Sequence, residues 1–126
     1  IKRKMSKLLS PGLTKKHYSP KTPLYIYEGN LDKLIKIDRN DYALLTPTPL
    51  LVNDINIFPL SQAGDVKDIA ANLFHQLRGL ERMSYRAIIA VPVKQSGLGH
   101  AVMDRLTRAS TGIVKIENQK LVFIDR

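Results

Sequence analysis

Apolar positions along this chain alternate between a period near two and a period near 3.6. Leu24-Tyr25-Ile26-Tyr27 is a run of aromatic, branched and aliphatic side chains ended by Glu28-Gly29-Asn30, and it predicts a first strand. Leu31, Leu34 and Ile35 follow at helical spacing, so a short helix comes next. Tyr42 to Leu45 predicts a second strand, stopped by Thr46-Pro47-Thr48-Pro49, and Asn56 to Leu60 a third, while residues 50–55 fit neither period. The clearest element is 65–83. There Val66, Ile69, Ala70, Leu73, Phe74, Leu77 and Leu80 keep the i, i+3, i+4, i+7 spacing of one buried helix face. Asp65 stands where an N-cap is needed. Asp68 in the first turn and Arg78 and Arg82 near the end complement the helix dipole.

Ala87-Ile88-Ile89-Ala90-Val91, ended by Pro92, is too short for a helix and too apolar for a half-exposed strand; it fits a central parallel strand covered on both faces. Ser96-Gly97-Leu98-Gly99 then leads into a second amphipathic helix through Leu98, Ala101, Val102, Leu106 and Ala109, ended by Gly112. Ile113 to Ile116 and Leu121 to Ile124 flank Glu117-Asn118-Gln119-Lys120 and predict a terminal hairpin. Strands alternating with helices place residues 22–126 in the α/β class. The expected architecture is a mostly parallel sheet of about five strands with helices on both faces.

Residues 1–21 lack sustained periodicity. Ser10-Pro11-Gly12 marks a turn, and Pro20 and Pro23 force extended backbone on the residues before them, so this stretch reads as a linker running onto a domain. Its charge sets it apart. Lys2, Arg3, Lys4, Lys7, Lys15, Lys16 and Lys21 occur there without a single acid, and this arm supplies most of the chain's net charge of +9. Such an arm is either a solvated linker or a non-specific binder of polyanions such as RNA. The chain has 126 residues, enough for one domain with one core, and no apolar run long enough to span a membrane. Cysteine is absent, which removes disulfides and thiolate chemistry and fits a cytoplasmic protein. The first residue is Ile1 rather than Met, so the expectation is a piece of something longer.

Candidate chemistry is sparse. His17, His75 and His100 show no metal-ligand spacing, so no metal site is expected. Ser61 and Ser96 lie after strands but have no base placed by sequence, and Asp65 with Asp68 is explained by capping, so no catalytic residue is assigned. Gly97 and Gly99 follow a buried strand and open a helix, the context of a phosphate loop, with Lys94 close enough to assist an anion. The dinucleotide fingerprint would need a third glycine at Val102, and the alternative is a tight strand–helix turn. Lys15-Lys16-His17-Tyr18-Ser19-Pro20 combines cations, a titratable ring, a stacking ring and a rigid stop, a set able to cover a nucleotide.

The stretch from Ser10-Pro11-Gly12-Leu13 through His17-Tyr18-Ser19-Pro20 to Thr22-Pro23-Leu24 resembles the interdomain linker of the two-domain threonylcarbamoyl-AMP synthases. That pattern reads Ser-Pro-Gly-Met, three variable residues, His-Tyr-Ala-Pro, one variable residue and a small residue with Pro-Leu. Gly64-Asp65 with Ala70-Ala71-Asn72-Leu73-Phe74 and Leu77-Arg78 looks like the main helix of the family's C-terminal domain, and Gly97 to Leu106 with Arg108-Ala109 looks like its last helix. The resemblance implies a Rossmann-like accessory domain whose enzyme makes L-threonylcarbamoyl-AMP and pyrophosphate from ATP, L-threonine and bicarbonate with Mg. The product feeds the threonylcarbamoyladenosine modification of tRNA. The chemistry is expected in an N-terminal YrdC-type catalytic domain, the partner of this one. This chain alone is then expected to be inactive and to hold no cofactor. Carried onto this sequence, the resemblance marks Lys16, His17, Tyr18 and Pro20 as residues that cover the catalytic cleft. Leu13 and Ser19 depart from the pattern where the family has Met and Ala, and some members carry Tyr where this chain has Lys15.

Overall fold

A computed structural model describes residues 21–52 and 54–126 of the chain. The predicted linker, residues 1–21, therefore lies outside the described residues except for Lys21. Strands are β1 (Leu24–Tyr27), β2 (Tyr42–Thr46), β3 (Ile57–Pro59), β4 (Ala87–Ala90), β5 (Gly112–Glu117) and β6 (Lys120–Asp125); helices are α1 (Leu31–Lys36), α2 (Val66–Glu81) and α3 (Leu98–Ala109). They form one six-stranded sheet in the order β3-β2-β4-β1-β5-β6, one strand more than expected. All pairs are parallel except β5–β6. The sixth strand is the second arm of the terminal hairpin, which extends the sheet at its edge.

Strand alternation sorts the side chains into two cores. Leu24, Ile26, Ala43, Leu45, Ile88 and Ala90 face α2 and α3, where they meet Ile69, Leu73, Leu77 and Leu80 of α2 and Val102, Met103 and Leu106 of α3. Tyr25, Tyr27, Leu44, Ala87, Ile89 and Val114 face the opposite side and pack with Leu34 of α1. β4 is buried along its whole length between these layers, which is why its sequence is an uninterrupted apolar run.

Three of the helix ends have an identifiable side-chain cause. Asn30 caps α1 by accepting from the Asp32 N–H at 2.7 Å. Asp65 caps α2 by accepting from the Lys67 N–H at 2.9 Å, and the Asp65 N–H in turn donates to Ser61 Oγ at 3.0 Å. α1 has only six residues and could not persist alone. It is closed by Arg39, whose Nε donates to the Leu34 carbonyl at 2.9 Å and Nη2 to the Ile35 carbonyl at 2.7 Å, while Nη1 pairs with Asp54 at 3.0 Å. The Arg39 carbonyl accepts from Asn56 Nδ2, which also donates to the Tyr42 carbonyl, so one knot ties α1, the start of β2 and the approach to β3.

On the α1 side of the sheet the small Ala87 sits beside Tyr42 in register, and the Phe123 ring lies 4.8 Å from that of Tyr25 and 5.3 Å from that of Tyr42. Tyr25 donates its hydroxyl to Asp125 at 2.6 Å, tying β1 to the last strand. Burial, then the bond to Asp125 and its negative charge, push the Tyr25 phenol up to about 12. Asn118 and Gln119 make the β5–β6 turn with φ of 52° and 62°, the left-handed pair that a two-residue hairpin turn demands.

Candidate functional site

The sheet reverses its winding between β1 and β4. β1 leads through α1 to β2 on one side; β4, its neighbour, leads through α3 to β5 on the other. In doubly wound sheets ligands bind in the crevice outside the carboxyl ends of two such strands. Here that crevice is bordered by Glu28-Gly29-Asn30 after β1 and by the loop from Val91 to Gly97 after β4. Lys94, Gly97 and Gly99 all fall on the second border.

The geometry of that border explains both glycines. Gly97 adopts φ 57° and ψ −128° and serves as the N-cap of α3 without any side-chain bond. Gly99 is buried, and a Cβ there would stand 2.0 Å from the Lys94 carbonyl oxygen, so the loop can lie on the helix only because position 99 has no side chain. The loop is further held by the Val93 N–H, which donates to Met103 Sδ at 3.2 Å. An anion at this helix start would need free backbone N–H groups. Two are already engaged, Gly99 with the Ser96 carbonyl at 3.0 Å and His100 with the Gly97 carbonyl at 3.1 Å. Lys94 is exposed.

The neighbouring strand ends are closed by their own contacts. The buried Thr46 hydroxyl donates to the Thr48 carbonyl at 2.7 Å, and the Tyr27 hydroxyl to the Asn30 carbonyl at 2.7 Å. Burial raises the Tyr27 phenol above its ordinary value. Lys16, His17, Tyr18 and Pro20 lie outside the described residues. His75 and His100 are exposed, and among the described residues no group of three or more His, Cys, Asp or Glu could hold a metal ion. No helix of the described residues is long and apolar enough to cross a membrane.

An open groove of about 690 Å³ runs between the end of α1 and the β5–β6 turn, lined by Lys33, Lys36, Ile37, Asp38, Asn118 and Gln119, with Ile116 at its side. None of the candidate site residues read from the sequence lines it. Sequence reasoning also passed over Arg39. A lone arginine in a polar stretch carries no periodic signal, and its partners at Asp54 and Asn56 are brought to it by the fold.

Known proteins resemble this chain over most of its length. The family described as "Threonylcarbamoyl-AMP synthase, C-terminal domain" matches residues 2–111. The threonylcarbamoyl-AMP synthase of Pyrococcus abyssi (strain GE5 / Orsay) is 33% identical over 109 residues, covering 80% of this chain and 32% of the relative. That of Bacillus subtilis (strain 168) is 28% identical over 116 residues, covering 86% and 34%. Among solved structures, P. abyssi Sua5 complexed with L-threonine superposes with a TM-score of 0.59 at 31% identity, covering 80% of this chain and 32% of that one. A variant of the same protein with a histidine and the next residue, a tyrosine, replaced by alanine gives 0.54 at 29%, covering 76% and 32%. The chain thus spans about a third of the length of these relatives. With a family match from residue 2 to 111 and a Rossmann-like sheet beneath it, the chain belongs to the C-terminal domains of the threonylcarbamoyl-AMP synthases.

Proposed function

We propose that this chain is the accessory domain of a cytoplasmic threonylcarbamoyl-AMP synthase, and that residues 1–21 join it to an N-terminal YrdC-type catalytic domain and gate that domain's cleft. The observation that carries the reading is the family match, which runs without a break from the basic arm into the α/β domain while the chain covers only a third of its relatives. The whole enzyme then converts ATP, L-threonine and bicarbonate, with Mg, into threonylcarbamoyl-AMP and pyrophosphate for the tRNA modification. A relative solved with L-threonine supports that substrate.

Gating follows from the arm's composition. An acyl adenylate is labile to water, so a cleft that forms it gains from a cover that closes over the nucleotide and excludes solvent. Lys16 supplies a cation for the phosphates, Tyr18 a ring for the base or ribose, and His17 a hydrogen-bonding ring beside it. Pro20, with φ fixed by its ring, ends the cover and feeds an extended chain toward β1. The only adjacent His-Tyr pair in this sequence is His17-Tyr18, and a relative was solved with such a pair removed.

The test is made in the whole enzyme. Replacing His17 and Tyr18 together by alanine is expected to slow threonylcarbamoyl-AMP synthesis at least tenfold and to raise the share of ATP lost to unproductive hydrolysis. Unchanged synthesis overturns the gating. The isolated 126 residues are expected to turn over no ATP, and to raise the rate when added to the separate catalytic domain. A second reading, nucleotide or anion binding at Lys94, Gly97 and Gly99, has the strand-end crevice in its favour. Amide shifts of residues 94–100 on adding ATP or AMP would support it, and silence there removes it.

A further inference from the structure

Among the described residues only two non-glycine positions hold left-handed backbone, Asn118 and Gln119, and both line the open groove beside the end of α1. Asparagine tolerates that conformation, but the second position of such a turn ordinarily belongs to glycine. Gln119 holds it under strain, and strain of this kind collects where a side chain is put to use. What Gln119 adds to the groove is a carboxamide, which donates and accepts on one planar group. Asn118 adds a second. This turn lies beyond the family match, which ends at residue 111.

The other wall carries the charge. Lys33 and Lys36 lie in the last turn of α1, both exposed. Lysines at that end of a helix ordinarily answer its negative pole. Here Arg39 does so instead, by donating to the Leu34 and Ile35 carbonyls. Among the described residues neither lysine makes an ion pair. Three residues apart on a helix, they stand on one side of it and can converge on one anion. Between the walls lie Ile37 and Ile116, half-buried at the margin of the α1-side core. One carboxylate also borders the groove, that of Asp38, which accepts from the Asn40 N–H at 3.1 Å. Beside two cations it opposes a bare anion, but it suits a ligand that brings hydroxyl groups as well.

We infer that this groove binds a nucleoside monophosphate. The two ammonium groups take the phosphate. Asp38 accepts from the ribose hydroxyls, as acidic side chains do in dinucleotide sites. The isoleucines cover a face of the base, and the carboxamides of Asn118 and Gln119 read its edge. A carboxamide matches adenine best, because adenine sets a donor beside an acceptor, so AMP is the expected ligand. The groove's volume of about 690 Å³ falls within the roughly 300–1,000 Å³ of small-molecule sites. Lys94, Gly97 and Gly99 take no part in it. The inference depends neither on which domain precedes this one nor on the gating of a cleft.

The experiment titrates AMP into the 126-residue chain and follows the backbone amide shifts by NMR. We expect saturating shifts confined to residues 33–39 and 116–120, with half-saturation below about 1 mM. Adenosine and inorganic phosphate, each able to make only part of the contacts, are expected to bind at least about tenfold more weakly than AMP. Lys33→Ala and Lys36→Ala combined should weaken AMP binding roughly tenfold. Asp38→Ala should erase the preference for AMP over its 2′-deoxy form. Gln119→Gly supplies the sharpest split: AMP binding weakened by about fivefold, together with a raised melting temperature. A fold defect cannot produce those two effects at once. The proposal is overturned if AMP gives no saturable shift up to about 10 mM, or if inorganic phosphate binds as tightly as AMP. It is equally overturned if the shifts fall on residues 94–100 in place of the groove, or if Gln119→Gly binds AMP as well as the parent chain does.

Discussion

Replacing Arg39 by methionine should destabilise this domain strongly, and the structure says how much. The side chain is 6% exposed, and its guanidinium closes the last carbonyls of a six-residue helix. A hydrogen bond from a charged donor is worth about 1.5–3 kcal/mol net. Two such bonds go to Leu34 and Ile35, whose carbonyls remain when the arginine is removed. Methionine keeps part of the stem's packing but satisfies neither. The pair with Asp54 adds little, because that carboxylate is half exposed and recovers its hydration; solvent screening holds it to about 1 kcal/mol or less. The expected loss is therefore about 3–4 kcal/mol, a large share of the roughly 5–15 kcal/mol that holds a typical domain. Urea unfolding followed by circular dichroism would show it as a midpoint lowered by about 2 M at an ordinary slope. Asp54→Asn should lose about 1 kcal/mol or less, and Arg39→Lys should recover little, since an ammonium cannot span both carbonyls and the carboxylate. A loss below about 1 kcal/mol for Arg39→Met would refute the reasoning, because burial of a shorter, uncharged thioether would then replace the charged cap without penalty.

Other consequences are simpler to check. Gly99→Ala places a Cβ against the Lys94 carbonyl and should cost about 2–3 kcal/mol in the same unfolding assay, whereas Gly97→Ala meets no neighbour and is penalised only for holding φ 57° with ψ −128°, a backbone combination close to glycine-only, at about 1–3 kcal/mol. Gln119→Gly relieves a left-handed side-chain residue in the hairpin turn and should stabilise by about 0.5–1 kcal/mol, read as a raised melting temperature. The Tyr25 phenol ionises near its ordinary value of 10 in the unfolded chain and only at about 12 when folded. The folded form thus keeps a proton that the unfolded form loses. That stability contribution is intact below pH 10 and disappears as pH rises toward 12, on the order of 2–3 kcal/mol. The difference in unfolding midpoint between wild type and Tyr25→Phe should shrink over that window, and a constant difference would dismiss the effect.

Much of the architecture was legible because burial writes itself into periodicity. The stripe of α2 and the uninterrupted apolar run of β4 each report a local consequence of their final surroundings. Strand order is not local. Nothing in Ala87 to Ala90 says that it inserts between β1 and β2, and nothing in Asp125 says that it meets Tyr25 across a hundred residues. The expected mostly parallel sheet is present, with six strands where about five were expected, and the second arm of the terminal hairpin forms its edge. At the crevice, the spacing of Gly97 and Gly99 identified a strand–helix turn, yet the reason for Gly99 is a carbonyl five residues upstream that only the fold brings there. The arm at Lys16, His17 and Tyr18 is a different case. Its residues carry recognisable chemistry but no periodicity, and the role proposed for them rests on resemblance to a linker pattern rather than on physics within these residues.

The polarity of the parallel strands has a mechanical corollary. The chain arrives at the amino ends of β1 and β4, where Pro23 accepts from the Ile88 N–H, while the crevice opens at their carboxyl ends, about 13 Å away across four residues of strand. The backbone at Lys21 and the crevice thus occupy opposite ends of the same two strands, so a change at the Pro23 end is felt at the crevice only through a shift of β1 and β4 along their whole length.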